Sequence, residues 1–335
     1  MDDKIKLEKT EFAKKFKAFV SELKSSVSCD DGQWTIKGFI DIYKNVFTIS
    51  SDTKIISKIL EIHLFPTISR FAESIGYNIV LAEKQNYYPD LTFIKKDDET
   101  IKFAVDLKTT FRRSNGKIGF TLGSHGAYFA NREGKKNIQF PYQEYKGHFC
   151  LGVIYSKAND DEDSNADLNE TKILQVAELG TPKTKDNVTR DINQKEKLQS
   201  ITSVIKDLDF FFSEKWKIAS DSQGSGNTAN IGSIDNEKDI KEENGVFAKL
   251  GEDYFDLYWT NYDKATIKVG EKLKKITNIW DFLESRGEKD KWKLVGNGAK
   301  KRKVQDKKKK VDDKKNNSSS NKKPRNKNKT GSVHK

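Results

Sequence analysis

The stretch YYPDLTFIKKDDETIKFAVDLKTT, residues 87–110, predicts two β-strands joined by a turn. Residues 91–94 and 101–108 are rich in the β-branched and aromatic residues that are common in strands. The polar segment 95–100 between them has the composition of a turn. A hairpin of this kind would bring Asp90, just before the first strand, back beside Asp106 in the second strand.

The second predicted strand carries two polar side chains on one face. Successive side chains of a strand alternate between its faces, so Asp106 and Lys108 at positions i and i+2 project to the same side. Phe103, Val105 and Leu107 project to the other side, where we expect a hydrophobic core. The strand therefore separates a polar face from a core face.

Asp90, Asp106 and Lys108 together have the chemistry needed to cut phosphodiesters. Mg²⁺ is a hard cation that usually takes one or two protein carboxylates together with phosphate oxygen. It would polarise the scissile phosphate and activate a water, while Lys108 would stabilise developing charge or orient that water. An Asp-x-Lys pair is also common by chance in a chain with 33% charged residues, and an aspartate before a strand is often only part of a turn. The motif alone leaves both interpretations open.

A more specific pattern extends over residues 50–234. Its segments are SSDTKIISKILEI at 50–62, QNYYPD at 85–90, VDLKTT at 105–110, FTLG at 120–123, KNI at 136–138 and GSGNTANIGSI at 224–234. In this order they resemble the EcoRV-like type II restriction endonucleases of the PD-(D/E)xK nuclease superfamily. The resemblance implies an α/β fold, with a restriction-endonuclease-like mixed β-sheet core flanked by helices. It also implies cleavage of double-stranded DNA.

The resemblance assigns roles to residues of the site. Asp90 and Asp106 would be metal-binding carboxylates, Lys108 the catalytic lysine, and Glu61 a third acidic residue at the metal, with Mg²⁺ as the implied cofactor. The implied base contacts are Gly224, Gly226, Asn227, Thr228 and, in the minor groove, Asn86. The predicted phosphate contacts are Lys54, Thr53, Ser57, Thr110 and Lys136.

The segment that contains Glu61 also has a helical pattern of its own. Ser51 or Asp52 would cap the helix, and its apolar residues fit a buried stripe. Lys54 and Glu61 are two turns apart on one side, where they would face DNA or form an ordinary solvated face. Pro66 should kink or divide this helix before residue 67.

The segment from Gly224 to Thr228 has the composition of a loop that reads bases. Glycine lacks a Cβ, so the backbone can approach base edges closely. Asn227 can bond adenine in two places, and Thr228 can touch the thymine methyl group. The string alone is more typical of a plain surface turn. The resemblance implies that it reads GATATC, which would be cut at its centre to leave blunt ends with 5′-phosphates. Ala229 departs from the family pattern and leaves the flanking specificity open.

The net charge of +12 in this chain of 335 residues lies almost wholly at the C-terminus. Residues 300–335 hold 16 Lys/Arg and 3 Asp, while residues 1–299 hold 46 basic and 47 acidic side chains. We therefore predict an endonuclease domain at 1–298, with an insertion at about 157–204, and a disordered basic tail at 299–335. The tail would add salt-dependent attraction to DNA.

Other function classes are excluded by composition. No window approaches an uninterrupted membrane span, and the N-terminus lacks the apolar core of a signal peptide, so we expect a cytoplasmic protein. Cys29 and Cys150 are too few for a disulfide framework and give no zinc pattern.

The predicted working form is a homodimer, because a two-fold symmetric dimer matches a palindromic duplex and presents one metal site to each strand. A cognate DNA methyltransferase is the expected partner in the same system. Two alternatives stay open at this point. A catalytically inactive or regulatory DNA-binding protein would bind without cutting, and a repair or structure-specific nuclease would cut without a fixed palindrome.

Overall fold

The computed structural model describes residues 3–123, 125–158, 173–175, 198, 200–224 and 230–300. Its helices are α1 Asp3–Val27, α2 Thr53–Ser74, α3 His125–Ala130, α4 Glu237–Lys241, α5 Glu252–Asn261 and α6 Ile279–Ser285. Its strands are β1 Gly38–Ile40, β2 Asn45–Thr48, β3 Tyr77–Leu81, β4 Leu91–Lys95, β5 Asp98–Phe111, β6 Tyr145–Lys157, β7 Ile173–Gln175, β8 Ile205–Glu214, β9 Ala219–Gln223, β10 Ile231–Ser233, β11 Thr266–Val269 and β12 Lys272–Lys275. The tail from residue 301, the residues 225–229 and most of the predicted insertion lie outside the described residues.

A five-stranded mixed sheet in the order β3-β4-β5-β6-β8 forms the centre of the fold. Strands β5 and β6 run parallel, and the other neighbours are antiparallel. The predicted hairpin is confirmed, because Leu91 pairs with Val105 and thereby sets Asp90 beside Asp106. The turn is shorter than the predicted segment 95–100, since Lys95 already pairs with Asp98.

Helices α1 and α2 cover one face of this sheet. Phe12, Phe16 and Phe19, spaced along one side of α1, are buried there. Phe12 stacks on Phe103 with ring centroids 4.5 Å apart, and Phe16 stacks on Phe212 at 3.9 Å. These contacts fix α1 against β5 and β8, so the core face of β5 is the one predicted.

The opposite face of the sheet packs against the C-terminal helices. Phe255, Tyr258 and Trp259 of α5 are buried in this second core together with Ala104 and Cys150 of the sheet. The aromatic residues of α5 therefore belong to a core helix. The expected fold class, a mixed β-sheet core flanked by helices, is confirmed.

Helix α2 runs without interruption through Pro66. The Asp52 carboxylate caps it by accepting the backbone N–H groups of Lys54 and Ile55. Division of this segment at Pro66 was the wrong expectation. A proline removes one backbone hydrogen bond, but buried residues on both sides of it, such as Leu64 and Ile68, hold the two halves on the same core.

Three small sheets complete the described chain. Strand β7, from within the predicted insertion, pairs with β2 in a three-stranded sheet β1-β2-β7. Strands β9 and β10 pair on either side of residues 224–230, and β11 pairs with β12. Met1–Lys300 forms one compact unit. Among the described helices, none is both long and apolar enough to cross a bilayer.

Candidate active site

A cleft of about 770 Å³ opens on the polar face of β5. Its described walls come from α2, β5, the segment 119–121, and the strands β9 and β10. The segment is held against β10 by an isolated bridge between Thr121 and Gly232 and by the Leu122 N–H, which donates to the Ile231 carbonyl at 2.8 Å. The cleft therefore has the predicted catalytic hairpin on one side and the strands that flank residues 225–229 on the other.

Asp90, Asp106 and Lys108 meet at this cleft, as the sequence predicted. The backbone N–H of Leu107 donates to Asp90 Oδ2 at 2.7 Å and fixes that carboxyl group to β5. Lys108 forms an ion pair with Asp106, and its Nζ lies 3.9 Å from Asp90 Oδ2. The side chain of Asp90 is 32% exposed and that of Asp106 only 5%, so Asp90 is the carboxyl group nearer to solvent.

The two carboxyl groups have opposite electrostatic properties. Burial would raise the pKa of Asp106, but the ammonium groups of Lys108 and Lys215 hold that pKa well below its ordinary value. Burial and the negative charge of Asp106 raise the pKa of Asp90 to about 7. Two carboxylates this close cannot both be ionised without a compensating cation, because each disfavours the charge of the other.

Lys215 is a functional-site residue that the sequence patterns did not reveal. It is 1% exposed, and its Nζ donates to Asp106 Oδ2 at 3.1 Å and to the Leu122 carbonyl at 2.7 Å. It also lies 4.3 Å from the centre of the Tyr88 ring. Strand β8 ends at Glu214, and the following 3₁₀ turn brings Lys215 beneath the catalytic hairpin.

Asp90 and Asp106 have the donor chemistry for a divalent cation. Burial and the repulsion between the two carboxylates raise the pKa of Asp90. A divalent cation bound here would offset that repulsion. No group of three or more His, Cys, Asp or Glu side chains within the described part of the chain is arranged to hold a metal. Glu61 lines the same cleft from α2, but its carboxylate accepts from Lys58 at 2.8 Å and does not join the two aspartates.

The predicted phosphate contacts occupy different positions. Ser57 lines the cleft, and Thr53 and Lys54 are exposed in the first turn of α2. Lys136 is exposed outside the described lining of the cleft. Thr110 is buried, and its hydroxyl donates to the Gly119 carbonyl at 3.2 Å.

The predicted base contacts are only partly within the described chain. Gly224 lines the cleft, and a Cβ built on it would lie 2.5 Å from Cγ2 of Thr121, so the backbone approaches that wall as only glycine allows. Asn86 is exposed and donates to the Asn137 side chain at 3.2 Å. The predictions for Gly226, Asn227 and Thr228 fall outside the described residues.

Comparison with known proteins gives two matches. The model of the family "Restriction endonuclease EcoRV" matches residues 30–181 and 179–287. The chain is 32% identical over 265 residues to the type II restriction enzyme EcoRV of Escherichia coli, covering 78% of this chain and 96% of that relative. The match spans the hairpin of β4 and β5, the described cleft lining except Gly298, and both strands that flank residues 225–229.

Proposed function

The chain belongs to the EcoRV family of restriction endonucleases, and from that premise we propose that it cuts double-stranded DNA at one fixed palindrome. The proposed target is GATATC, cut at the centre to leave blunt ends with 5′-phosphates. The observation that carries this proposal is that Asp90 and Lys108 line one cleft, with the buried Asp106 ion-paired to Lys108 beside them.

The proposed cofactor is Mg²⁺, held by Asp90 and Asp106 with Glu61 as a further acidic group on the same wall. When bound there, a divalent cation supplies Lewis-acid polarisation of the scissile phosphate. The Leu107 N–H and the two lysines on Asp106 hold the carboxyl groups in fixed positions before DNA arrives. Preorganised charge of this kind lowers the cost of reorganisation during the reaction.

Lys108 is the proposed catalytic cation of the chain itself. Its ammonium group lies between the two carboxylates, and the proximity of their negative charge raises its pKa above the ordinary value despite burial. It therefore stays protonated at neutral pH and acts as an electrostatic stabiliser of the charge that develops on phosphate. A base role for Lys108 would require the opposite pKa shift.

We propose that one set of residues positions the duplex and that another set reads its sequence. Ser57, Thr53 and Lys54 at the start of α2, with Lys136, would hold phosphates and set the register without reading sequence. Gly224, Gly226, Asn227, Thr228 and Asn86 would contact base edges. A nuclease with a six-base target also meets that target in its host genome, so a methyltransferase of matching specificity is the proposed partner.

The proposed working form is a homodimer. The hairpin of β1 and β2 exposes four large apolar side chains, Phe39, Ile40, Ile42 and Tyr43, with exposed fractions of 54 to 88%. A contiguous exposed apolar surface usually marks a contact with another protein. A second copy of the chain placed across a two-fold axis would provide the second metal site that a double-strand cut requires.

Asp106→Ala tests the assignment of the site. The variant should bind duplex DNA with near-normal affinity and lose cleavage, because Asp106 is the shared partner of both lysines and one of the two proposed metal ligands. Asp97→Ala is the matched control, since this carboxylate in the turn of the same hairpin is 76% exposed and outside the described lining of the cleft. Cleavage that persists in the purified Asp106→Ala protein would contradict the assignment.

A further inference from the structure

Residues 120–122, which we call the linking segment, are held by β10. The Leu122 N–H donates to the Ile231 carbonyl at 2.8 Å, and the Ser233 N–H donates to the Phe120 carbonyl at 3.1 Å. The Ser233 hydroxyl oxygen also accepts the Phe120 N–H at 3.3 Å. Leu122 and Ile231 are both fully buried in the second core. The linking segment therefore follows the position of β10.

The other side of the linking segment is held by Lys215. Its ammonium group donates to the Leu122 carbonyl at 2.7 Å and to Asp106 Oδ2 at 3.1 Å. At Gly123 the chain passes close to both ends of that ion pair, because a Cβ built there would lie 3.5 Å from Lys215 Nζ and 3.6 Å from Asp106 Oδ2. Leu122 thus bonds to β10 through its N–H and to the partner of a proposed metal ligand through its carbonyl.

Charge compensation alone does not account for Lys215. Lys108 already forms an ion pair with Asp106, and burial of a second ammonium group costs desolvation free energy. Within the described chain, the hydrogen bonds and ion pairs of Lys108 all stay on the catalytic hairpin. Lys215 adds a bond to the linking segment, so its position depends on two parts of the fold at once.

We propose that Lys215 is a specificity-determining positioning residue, which couples the position of β10 to that of the Asp106 carboxylate. The inference rests on the proposed function, because it takes β9 and β10 to carry residues that contact bases. Correct base pairs would hold β10, and thereby the linking segment and Lys215, where Asp106 is placed for reaction. Contiguous contacts of this kind carry coupling between two sites, and a displacement of about 1 Å at a catalytic group can cost about 100-fold in rate. A wrong base pair would therefore slow the reaction itself and not only weaken binding.

The first test needs neither DNA nor cleavage. Amide hydrogen exchange is measured at Leu122, in the linking segment, and at Leu151, which is buried in the centre of β6. Lys215→Met should accelerate exchange at Leu122 at least about fivefold more than at Leu151, the factor typical of one lost hydrogen bond. Lys217→Met, in the same 3₁₀ turn, is the matched control, because Lys217 pairs with glutamates outside the linking segment. Equal acceleration at the two amides of Lys215→Met would overturn the proposal, since it would show only a general loss of stability.

The second test measures how well the protein discriminates between sites. The value of kcat/KM is determined with Mg²⁺ for the site that the unchanged protein cuts and for duplexes with one base pair of that site changed. Lys215→Met should lower the ratio of the two values about tenfold, because the preferred site loses a placement of Asp106 that the changed sites do not have. Lys217→Met should keep the ratio. Equal factors at all sites in Lys215→Met would overturn the proposal, because a role in charge or stability alone slows every site alike.

Ser233→Ala tests the same connection from β10 and leaves the buried ion pairs of Asp106 in place. It removes the side-chain acceptor of the Phe120 N–H and should also lower the discrimination ratio. The double variant with Lys215→Met should discriminate no worse than the weaker of the two single variants, because both break one connection. A ratio that falls by the product of the two single effects would contradict that connection. A protein that cuts no plasmid with Mg²⁺ would contradict the proposed function, whereas one that cuts a fixed palindrome and keeps its discrimination in Lys215→Met would contradict this inference alone.

Discussion

Asp106 lies between two ammonium groups that come from distant parts of the chain. Lys108 is its neighbour on β5, whereas Lys215 is 109 positions away along the sequence. The spacing of Asp106 and Lys108 is visible in the sequence because a strand places positions i and i+2 on one face. The contribution of Lys215 could not be predicted in the same way, because it depends on the turn that the chain makes after Glu214 and on a contact between distant parts of the sequence.

Lys215→Met should destabilise the fold. Asp106 keeps Lys108 as a partner, but the variant loses the second ammonium group beside Asp106 and the hydrogen bond to the buried Leu122 carbonyl, at a typical cost of about 1–3 kcal/mol. Lys217→Met, in the same 3₁₀ turn, is the control, because the half-buried Lys217 pairs with Glu214 and Glu243 near the surface and should cost about 1 kcal/mol or less. Urea unfolding at pH 7.5 measures both. A similar loss of unfolding free energy in the two variants would contradict the role given to Lys215.

Metal binding should release a proton from Asp90 at low pH. The pKa of this group is raised to about 7, first by burial and then by Asp106, and a metal ligand must be ionised. The apparent affinity for Mg²⁺ should therefore rise about tenfold per pH unit below 7 and level off above it. Calorimetry in two buffers of different ionisation enthalpy should count about 0.9 proton released at pH 6 and fewer than about 0.1 at pH 8.5. Binding at pH 6 without proton release would contradict the shifted pKa.

At the scale of elements, the periodic pattern of a segment indicates which face of that helix or strand is buried. The aromatic stripe of α1, the alternation in β5 and the helix at 254–262 are each one element whose buried face is encoded in its own residues. The expectation that Pro66 would divide the helix was wrong. Proline affects the local backbone, whereas the continuity of α2 depends on a core that both halves of the helix share. The position of Glu61, which pairs with Lys58 at the edge of the same cleft as Asp90, likewise depends on how α2 packs on the sheet.

Gly224→Ala should weaken cleavage for a steric reason. The added methyl group would lie 2.5 Å from Cγ2 of Thr121 and push the end of β9 away from the segment 119–121. Thr121→Ser removes that Cγ2 atom, so the double variant should recover much of the lost kcat/KM while Thr121→Ser alone changes little. Steady-state cleavage of a plasmid measures all three. A double variant no better than Gly224→Ala would show that the glycine is needed for another reason.

At the scale of the whole molecule, the proposed homodimer would make a double-strand cut possible. Ile42→Asp places a charge in the exposed apolar hairpin of β1 and β2, where Ile42 is 88% exposed. The variant should sediment as a monomer at micromolar concentration and yield nicked rather than linear plasmid. Leu273→Asp is the control, because Leu273 is 73% exposed on the separate hairpin of β11 and β12. Dimers in both variants, or monomers in both, would contradict the assignment of this surface.

Because the charge of residues 1–300 is balanced, the proposed sequence recognition would depend on a few positioned side chains and not on general attraction to DNA. The family of the chain and its mixed sheet were both indicated by ordered segments of the sequence and are confirmed by the comparisons and the fold. Cleavage at a single palindrome is the central claim built on them.

The most direct measurement is to incubate the full-length protein with plasmid DNA and Mg²⁺ and to sequence the ends of the products. Blunt ends at the centre of a single six-base palindrome, GATATC, are the predicted result. Ragged ends without a common sequence would contradict the claim in favour of a repair or structure-specific nuclease, and intact DNA would contradict it in favour of a binding protein.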